Sequence, residues 1–335
     1  MRYYPNFFGG KSSKMKRYFR KNTNFPIGSP DRYPIKNCVF SYPVDVSFGS
    51  TKPSEPQRLR INTPSGIRIS SSKTLTKDTI KEHCPVLLKY NHASRYIDAR
   101  QTKLDLLEQE IGFPMVAKLK YGFGGKGMYF LNNAEDLQKF VAEIPPSKIR
   151  EYFFEEYFLF TNEYRIHVSP LLKDKSIVYK YEYALKTPEG SWTVRSGGTH
   201  LRSNGEILGI EKKLRNPYAI NPATRNFATG VVTFSSNFRK PEEWDKMVEA
   251  SVKAAELMGL DFCCTDVMYN KHTRKFYISE TNTNPGMDVI PDNPCPNVTA
   301  QHYQQALPHM IAEKYLRSVS ARGLSRTYGR IAVVN

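Results

Sequence analysis

The stretch Asp261–Met287, DFCCTDVMYNKHTRKFYISETNTNPGM, constrains the chain more than any other. Two runs rich in β-branched and aromatic residues, Phe262 to Tyr269 and Lys275 to Thr281, flank a short polar turn, which predicts a β-hairpin. Residues two apart in a strand share a face, so Glu280 and Asn282 point the same way. Pairing about the turn Asn270 to Arg274 sets Asp266 opposite Glu280, in the register that also sets Tyr269 opposite Tyr277. Asp266, Glu280 and Asn282 then form one cluster of oxygen donors. With no imidazole or thiolate among them, they suit a hard cation such as magnesium, shared with substrate phosphates. A solvated hairpin face has the same spacing and is the alternative.

Upstream, Leu59 to Leu88 reads as a short extended piece, a turn, and a helix starting near Thr74, with Lys73 just before it. Leu104, Leu107 and Ile111 have helical spacing, and Gly112 follows as a stop. Met115 to Lys120 alternates as a strand, with Lys118 on the face opposite Met115 and Ala117. The loop YGFGGKG, Tyr121 to Gly127, is followed by a strand, MYFL. A Walker A loop needs Lys then Ser/Thr and must open a helix, so that reading and a Rossmann turn are both excluded. What remains is a glycine hairpin: either a plain turn, or one whose Gly124, Gly125, Lys126 and Gly127 fold backbone N–H groups over phosphates. Asn133 caps a helix with Leu137, Phe140 and Val141 inward. Residues 151–168 hold two aromatic strands, the second alternating Glu163 and Arg165 against Tyr164 and Ile166. VRSGGTHLRSNG reads as strand, turn, strand, bringing Arg195, His200 and Arg202 toward one region, with Lys180 and Lys186 on the strand before. Residues 241–258 give the clearest helix, with Trp244, Met247, Val248, Ser251, Val252 and Ala255 inward and Gly259 at its end. A terminal helix from about Thr299 to Ser318 contains Pro308, which predicts a kink or a break.

The chain of 335 residues is 40% hydrophobic, enough for two or three lobes. No run of 18 apolar residues and no apolar leader is present, so neither a membrane span nor a secretory signal is expected, and a cytoplasmic setting follows. Cys38, Cys84, Cys263, Cys264 and Cys295 lack paired spacing, which argues for reduced thiols and against zinc. Net charge is uneven. Residues 1–100 carry 19 Lys/Arg against 6 Asp/Glu, most of the chain's +17. Residues 1–34 read as an arm in which Tyr3, Tyr4, Phe7, Phe8, Tyr18 and Phe19 interleave with basic residues, a composition used by single-stranded nucleic-acid binders and also by arms that anchor onto their own protein. Residues 35–48 offer a strand or two, with Pro43 predicting an edge position, and a Pro- and Ser-rich linker runs from Gly49 to Gln57.

Taken in order over residues 60 to 290, these motifs resemble the ATP-grasp superfamily of ATP-dependent carboxylate–amine ligases, in particular D-alanine ligase-like and RimK-like members and short versions encoded by tailed bacteriophages. The resemblance rests on Asp266-Val267-Met268 followed by Glu280-Thr281-Asn282-Thr283-Asn284-Pro285-Gly286-Met287. It implies an α/β (α+β) fold of two lobes with antiparallel sheets gripping ATP, after a reduced basic N-terminal region. The expected divisions are 1–70 (arm and reduced region), 71–154 (linker helix and central lobe), 155–320 (C-terminal lobe) and 321–335 (basic tail). It also implies Asp266, Glu280 and Asn282 as ligands of one or two magnesium ions, and Lys73 and Lys118 on the ATP phosphates. The adenine hinge would be Glu155-Glu156-Tyr157-Phe158, Glu163 would hold the ribose, and Arg165 would lie on the phosphate side. Arg195 or Arg202 would help stabilise the transferring group. Cys264 stands where D-alanine ligases carry an arginine, so the resemblance does not carry their substrate over.

The implied chemistry is phosphorylation of a carboxylate by ATP and attack of an amine on the acyl phosphate. Expected partners are that carboxylate and amine, an acidic peptide or other polyanion among the candidates. Nucleic acid through the N-terminal arm and a second copy of the chain are further ones; a membrane is not. The setting would be the host cytoplasm if the chain is phage-encoded. The competing reading is a nucleic-acid-associated or structural protein that uses the scaffold as a nucleotide- or polyanion-binding platform.

Overall fold

The computed structural model describes residues 2–9, 16, 19, 41–51, 59–83, 96–99, 104–122, 127–202, 206–214, 233–235, 238–285, 294 and 298–331. The hairpin forms from β13 (Cys263–Asn270) and β14 (Lys275–Asn282), antiparallel, with Asp266 opposite Glu280 and Cys264 opposite Asn282. The register is not uniform. A bulge between Asp266 and Val267 shifts the outer half by one, so Tyr277 faces Met268 and Tyr269 faces Phe276. Simple counting back from the turn misses such an extra residue.

The hairpin is one side of a five-stranded sheet ordered β12 (Thr233–Ser235), β11 (Ile207–Leu214), β8 (Asn162–Val168), β13, β14. Its apolar face, including Tyr164, Ile166 and Val267, packs on helix α6 (Trp244–Leu257). All six residues of the expected inner stripe of α6 are buried, and Thr265 Oγ1 donates to Ser251 Oγ across the interface at 2.7 Å. Each large side chain buried there is worth about 2 kcal/mol. That packing anchors the sheet whose opposite face carries charge.

The central lobe is a four-stranded antiparallel sheet ordered β4 (Tyr96–Asp98), β7 (Tyr152–Glu156), β5 (Met115–Leu119), β6 (Met128–Leu131). Helix α4 (Ala134–Glu143) covers it through Phe140, whose ring meets Tyr129, Tyr152 and Phe154 at 5.0 to 5.7 Å. Asn133 Oδ1 caps this helix by accepting from Asp136 N, and the short helix α5 (Pro146–Ile149) follows it. Val141, expected inward, is exposed. The stretch near Leu104 and Leu107 is a 3-10 turn followed by the short helix α3 (Leu107–Glu110), ended by Gly112 at φ 84°.

Two helices lead into this lobe, α1 (Pro64–Ser71) and α2 (Lys73–His83), where the sequence suggested a turn and one helix. The missed signal is a standard helix start: Thr63 Oγ1 accepts from Gly66 N at 3.1 Å and Pro64 holds the first helical position. Gly66 is required there, since a Cβ would lie 2.6 Å from the Met258 carbonyl oxygen.

Arg2–Gly9, read from sequence as part of an arm, is strand β1, paired in parallel along its length with β2 (Ser41–Phe48), which pairs with β3 (Leu59–Ile61). Pro43 therefore sits on the central strand of this sheet, opposite Tyr4, and not on an edge. Parallel pairing between strands far apart in sequence leaves no local period to read. Phe19 is buried and stacks on Phe48 at 5.4 Å, so this aromatic anchors onto its own protein.

Asn62, at φ 61°, joins this sheet to the C-terminal lobe. Its Oδ1 accepts from Asp261 N and Phe262 N, its Nδ2 donates to Phe262 O, and its own N donates to Asp261 Oδ2. Asn tolerates this left-handed backbone better than most residues.

VRSGGTHLR is a single strand, β10 (Trp192–Arg202), paired with β9 (Ile177–Lys186), and not strand, turn, strand. The glycines form a bulge: a Cβ on Gly197 would fall 1.9 Å from the Tyr181 ring. The turn lies earlier, where Thr187 N donates to Ser191 O and Gly190 has φ 85°. Helix α7 (Val298–Ile331) runs through Pro308 as one helix, and its backbone extends into the expected tail. No helix among the described residues is long and apolar enough to cross a membrane.

Candidate functional site

The charged face of the five-stranded sheet is assembled by register. β8 contributes Glu163, Arg165 and His167, all on one face; β11 sets Lys213 opposite Glu163 and Glu211 opposite Arg165; β13 sets Asp266 opposite Arg165. Arg165 donates Nε to Asp266 Oδ1 at 2.8 Å and Nη2 to Oδ2 at 3.0 Å, the fork-to-fork geometry that favours arginine over lysine. Lys213 Nζ donates to Asp266 Oδ2 at 2.8 Å and to Glu163. Burial by itself would raise the Asp266 pKa, but Arg165 and Lys213 outweigh it and hold the carboxyl far below its usual range. Burial likewise opposes charge on Lys213, while Asp266 and Glu163 keep it protonated.

Glu280 and Asn282 lie along the same face on β14, where Asn282 Nδ2 donates to Glu280 Oε1 at 3.1 Å. Lys73, at the start of α2, is 3.7 Å from Glu280 Oε2 and donates to the Gly122 carbonyl at 2.5 Å, reaching the base of the glycine loop. Burial lowers its pKa, against the pull of Glu280. Gly127, at the other end of that loop, has φ 66°; Gly124, Gly125 and Lys126 lie outside the described residues.

Lys118 on β5 and Lys77 on α2 both reach Glu155 on β7, Lys77 at 2.8 Å from Oε2, and Tyr277 Oη donates to the same Oε2 at 2.8 Å. Burial would raise the Glu155 pKa, but the two ammonium groups bring it down to about 2. In the hinge, Tyr157 N donates to the Pro114 carbonyl at 3.1 Å, Phe158 packs near Tyr277, and Glu156 pairs across to Met115 at the end of β7. Arg195 is exposed on β10, opposite Tyr183, and no hydrogen bond or ion pair joins it to Asp266 among the described residues; the Arg202 side chain lies outside them. The structure thus brings together two charged sets, Glu163, Arg165, Lys213 and Asp266 in one and Lys73, Glu280 and Asn282 in the other, with Lys118 and Glu155 adjoining the second; the register that sets Asp266 opposite Glu280 places them side by side. It leaves Arg195 apart from that network.

The sheet-and-helix arrangement is similar to that of a D-alanine–D-alanine ligase from Bacillus anthracis complexed with ATP, at TM-score 0.55 and 13% identity, over 96% of this chain and 100% of that one. A second structure of the Bacillus anthracis enzyme matches at TM-score 0.56 and 14% identity, over 96% and 99% of the two chains. The D-alanine–D-alanine ligase of Coxiella burnetii matches at 0.52 and 12%, over 86% and 72%. The chain has the ATP-grasp fold. No family model and no curated protein sequence matches it. Within the ATP-grasp fold, Lys213, Lys77, Glu211 and His167 are the charged and polar residues of this region that sequence reasoning missed. The alternation Glu211–Lys213 on β11 and the four-residue step from Lys73 to Lys77 on α2 were the available signals. Cys263 and Cys264 are buried thiols; burial pushes Cys263 up to about 12 and raises Cys264 well above the ordinary thiol value.

Proposed function

We propose that this chain is an ATP-dependent ligase that joins a carboxylate to an amine through an acyl phosphate. The observation that carries this reading is the alignment of Asp266, Glu280 and Asn282 on one sheet face, with Arg165, Lys213 and Lys73 around them. Such a face pairs hard oxygen donors with fixed cations, which is what transfer of a phosphoryl group between oxygens requires. In the first step a carboxylate oxygen of the acid attacks the γ-phosphorus of ATP, and ADP leaves with the bond electrons. In the second the amine nitrogen attacks the acyl carbon, inorganic phosphate leaves, and the nitrogen loses a proton.

The donor set fits magnesium in chemistry: two carboxylates and an amide oxygen, without sulfur or imidazole. Asp266, Glu280 and Asn282 would hold it. When bound there, it would supply neutralisation of the phosphate oxygens. The chain's own residues account for the rest. Lys73 and Lys118 act as point charges on the phosphates. Arg165, braced by Asp266, presents positive charge of fixed orientation to the transferring group, and Arg202 is the further candidate from β10. Glu155 to Phe158 form the strand end that borders the base, Glu163 serves the ribose, and the glycine loop through Gly124, Gly125, Lys126 and Gly127 covers the phosphates and excludes water. Cys264, buried and uncharged, offers an incoming carboxylate no cation, which supports a substrate different from D-alanine. Pairing of Arg2–Gly9 with β2 and burial of Phe19 support an arm that packs onto its own protein.

Mass spectrometry of a cell extract incubated with the protein, ATP and magnesium tests this reading. The expected result is an ATP-dependent product whose mass is that of an acid plus an amine less water, absent with Asp266→Asn or Glu280→Gln. A product that forms equally with those variants would contradict it.

A further inference from the structure

Lys118 is assigned above to a nucleotide phosphate, yet in this structure it is bonded to Glu155. Glu155 is buried, and the cations around it come from different elements. Lys118 donates to Oε1, Tyr277 Oη donates to Oε2 at 2.8 Å, and Lys77 Nζ lies 2.8 Å from Oε2 as an ion pair. The two lysines are not equivalent. Lys77 is wedged over the Tyr277 ring at 4.3 Å from its centroid, and its side chain is 7% exposed. The Lys118 side chain is 14% exposed and lies on the strand that runs into the glycine loop. Two ammonium groups on one carboxylate leave a surplus positive charge, so one of them can leave without stranding a buried anion. A buried carboxylate left with no cation is costly.

We propose that Glu155 holds Lys118 in reserve while the phosphate site is empty, and that Lys77 is the counter-ion that stays with Glu155 when Lys118 turns to a nucleotide phosphate. This rests on the reading of Lys118 as a phosphate ligand. Lys77 is then a positioning residue: it touches no substrate atom and sets the cost of releasing Lys118. The split of contacts between the two carboxylate oxygens makes the exchange local, since departure of Lys118 releases its own contact to Oε1 and leaves both contacts to Oε2 in place. The fall of the Lys77 pKa to about 8, caused by burial, is consistent with a lysine kept inside the protein by its anion.

The test uses the full chain and two readouts, ATP affinity by calorimetry in magnesium buffer and thermal stability without nucleotide. Lys77→Met should weaken ATP binding by about tenfold or more, because Lys118 can no longer leave Glu155. Lys77→Arg should retain affinity, and Lys77→Met/Glu155→Gln should bind ATP more tightly than Lys77→Met, since no carboxylate then holds Lys118. A purely structural role for Lys77 would leave the double variant as weak as Lys77→Met, which overturns the proposal. Without nucleotide, Lys77→Met/Lys118→Met should lose far more thermal stability than the two single changes together, because either cation alone satisfies Glu155. Additive losses would overturn the shared-anion arrangement even if the protein binds no ATP. Absence of ATP binding by wild type would instead contradict the ligase reading. If Lys77→Met does not fold alone, Lys77→Met/Glu155→Gln compared with Glu155→Gln decides: equal ATP affinity upholds the exchange, because Lys77 then has no anion to hold, and weaker affinity in the double variant refutes it.

Discussion

Glu155 couples its ionisation to folding. Burial disfavours its charge, but Lys118 and Lys77 hold its pKa at about 2, below the ordinary value of 4.5. The unfolded chain therefore binds more protons than the folded one across that interval. The stabilisation from this group is complete above pH 4.5 and is lost as pH falls through 2. A shift of this size corresponds to about 3 kcal/mol. Urea unfolding at a series of pH values should show Glu155→Gln less stable than wild type at neutral pH, with the gap closing by about that amount on acidification. Parallel profiles for the two proteins would mean that the carboxylate is not held ionised by its lysines. At the same scale, Asp266 was legible from sequence and Lys213 was not. Asp266 sits in a motif whose partners, Glu280 and Asn282, lie fourteen and sixteen residues on in the same hairpin, whereas Lys213 reaches it from β11, a strand far off in the chain.

Helix α7 and strand β9 meet by matching periods. Gln301 and Gln305 are one helical turn apart, a rise of about 6 Å, and they address Lys180 and Glu182, two apart on β9, a rise of about 6.7 Å. Each glutamine accepts from a backbone N–H and donates to the carbonyl of the same residue, so the outer edge of β9 is satisfied as another strand would satisfy it. Gln301→Ala/Gln305→Ala should destabilise the protein by about 2 kcal/mol or more and raise hydrogen exchange at the Lys180 and Glu182 amides selectively. Unchanged exchange at those amides would show that the edge does not depend on the glutamines. Elements with a strong local period, α6 above all, could be read from sequence. The Gly197 bulge could not, because glycines that admit the Tyr181 ring look the same in sequence as glycines that make a turn. Helix α1 could have been, from Thr63 and Pro64, had the pair been read as a cap and not as a turn.

At the scale of the whole molecule, the central lobe and the five-stranded sheet meet at the start of α2, and the parallel sheet β1–β3 joins the five-stranded sheet just before the hairpin β13–β14. Asn62 ties the parallel sheet to the five-stranded one, and the Lys77–Glu155–Tyr277 contact ties the central lobe to it. The two ATP-grasp lobes were legible because their motifs are local: a strand with a lysine, a glycine hairpin, a hairpin with paired acids. The N-terminal sheet was not, because β1 and β2 lie more than thirty residues apart and their parallel pairing leaves no alternation that distinguishes a strand from an arm. The central claim is that the lobes hold a nucleotide between Lys73, Lys118 and the Asp266–Glu280–Asn282 face. Titration calorimetry of the full chain with ATP in magnesium buffer tests it most directly. The account predicts saturable binding with one ATP per chain, weakened by about tenfold or more in Lys118→Met and in Glu280→Gln. No binding by wild type, or binding that both variants leave unchanged, would contradict it.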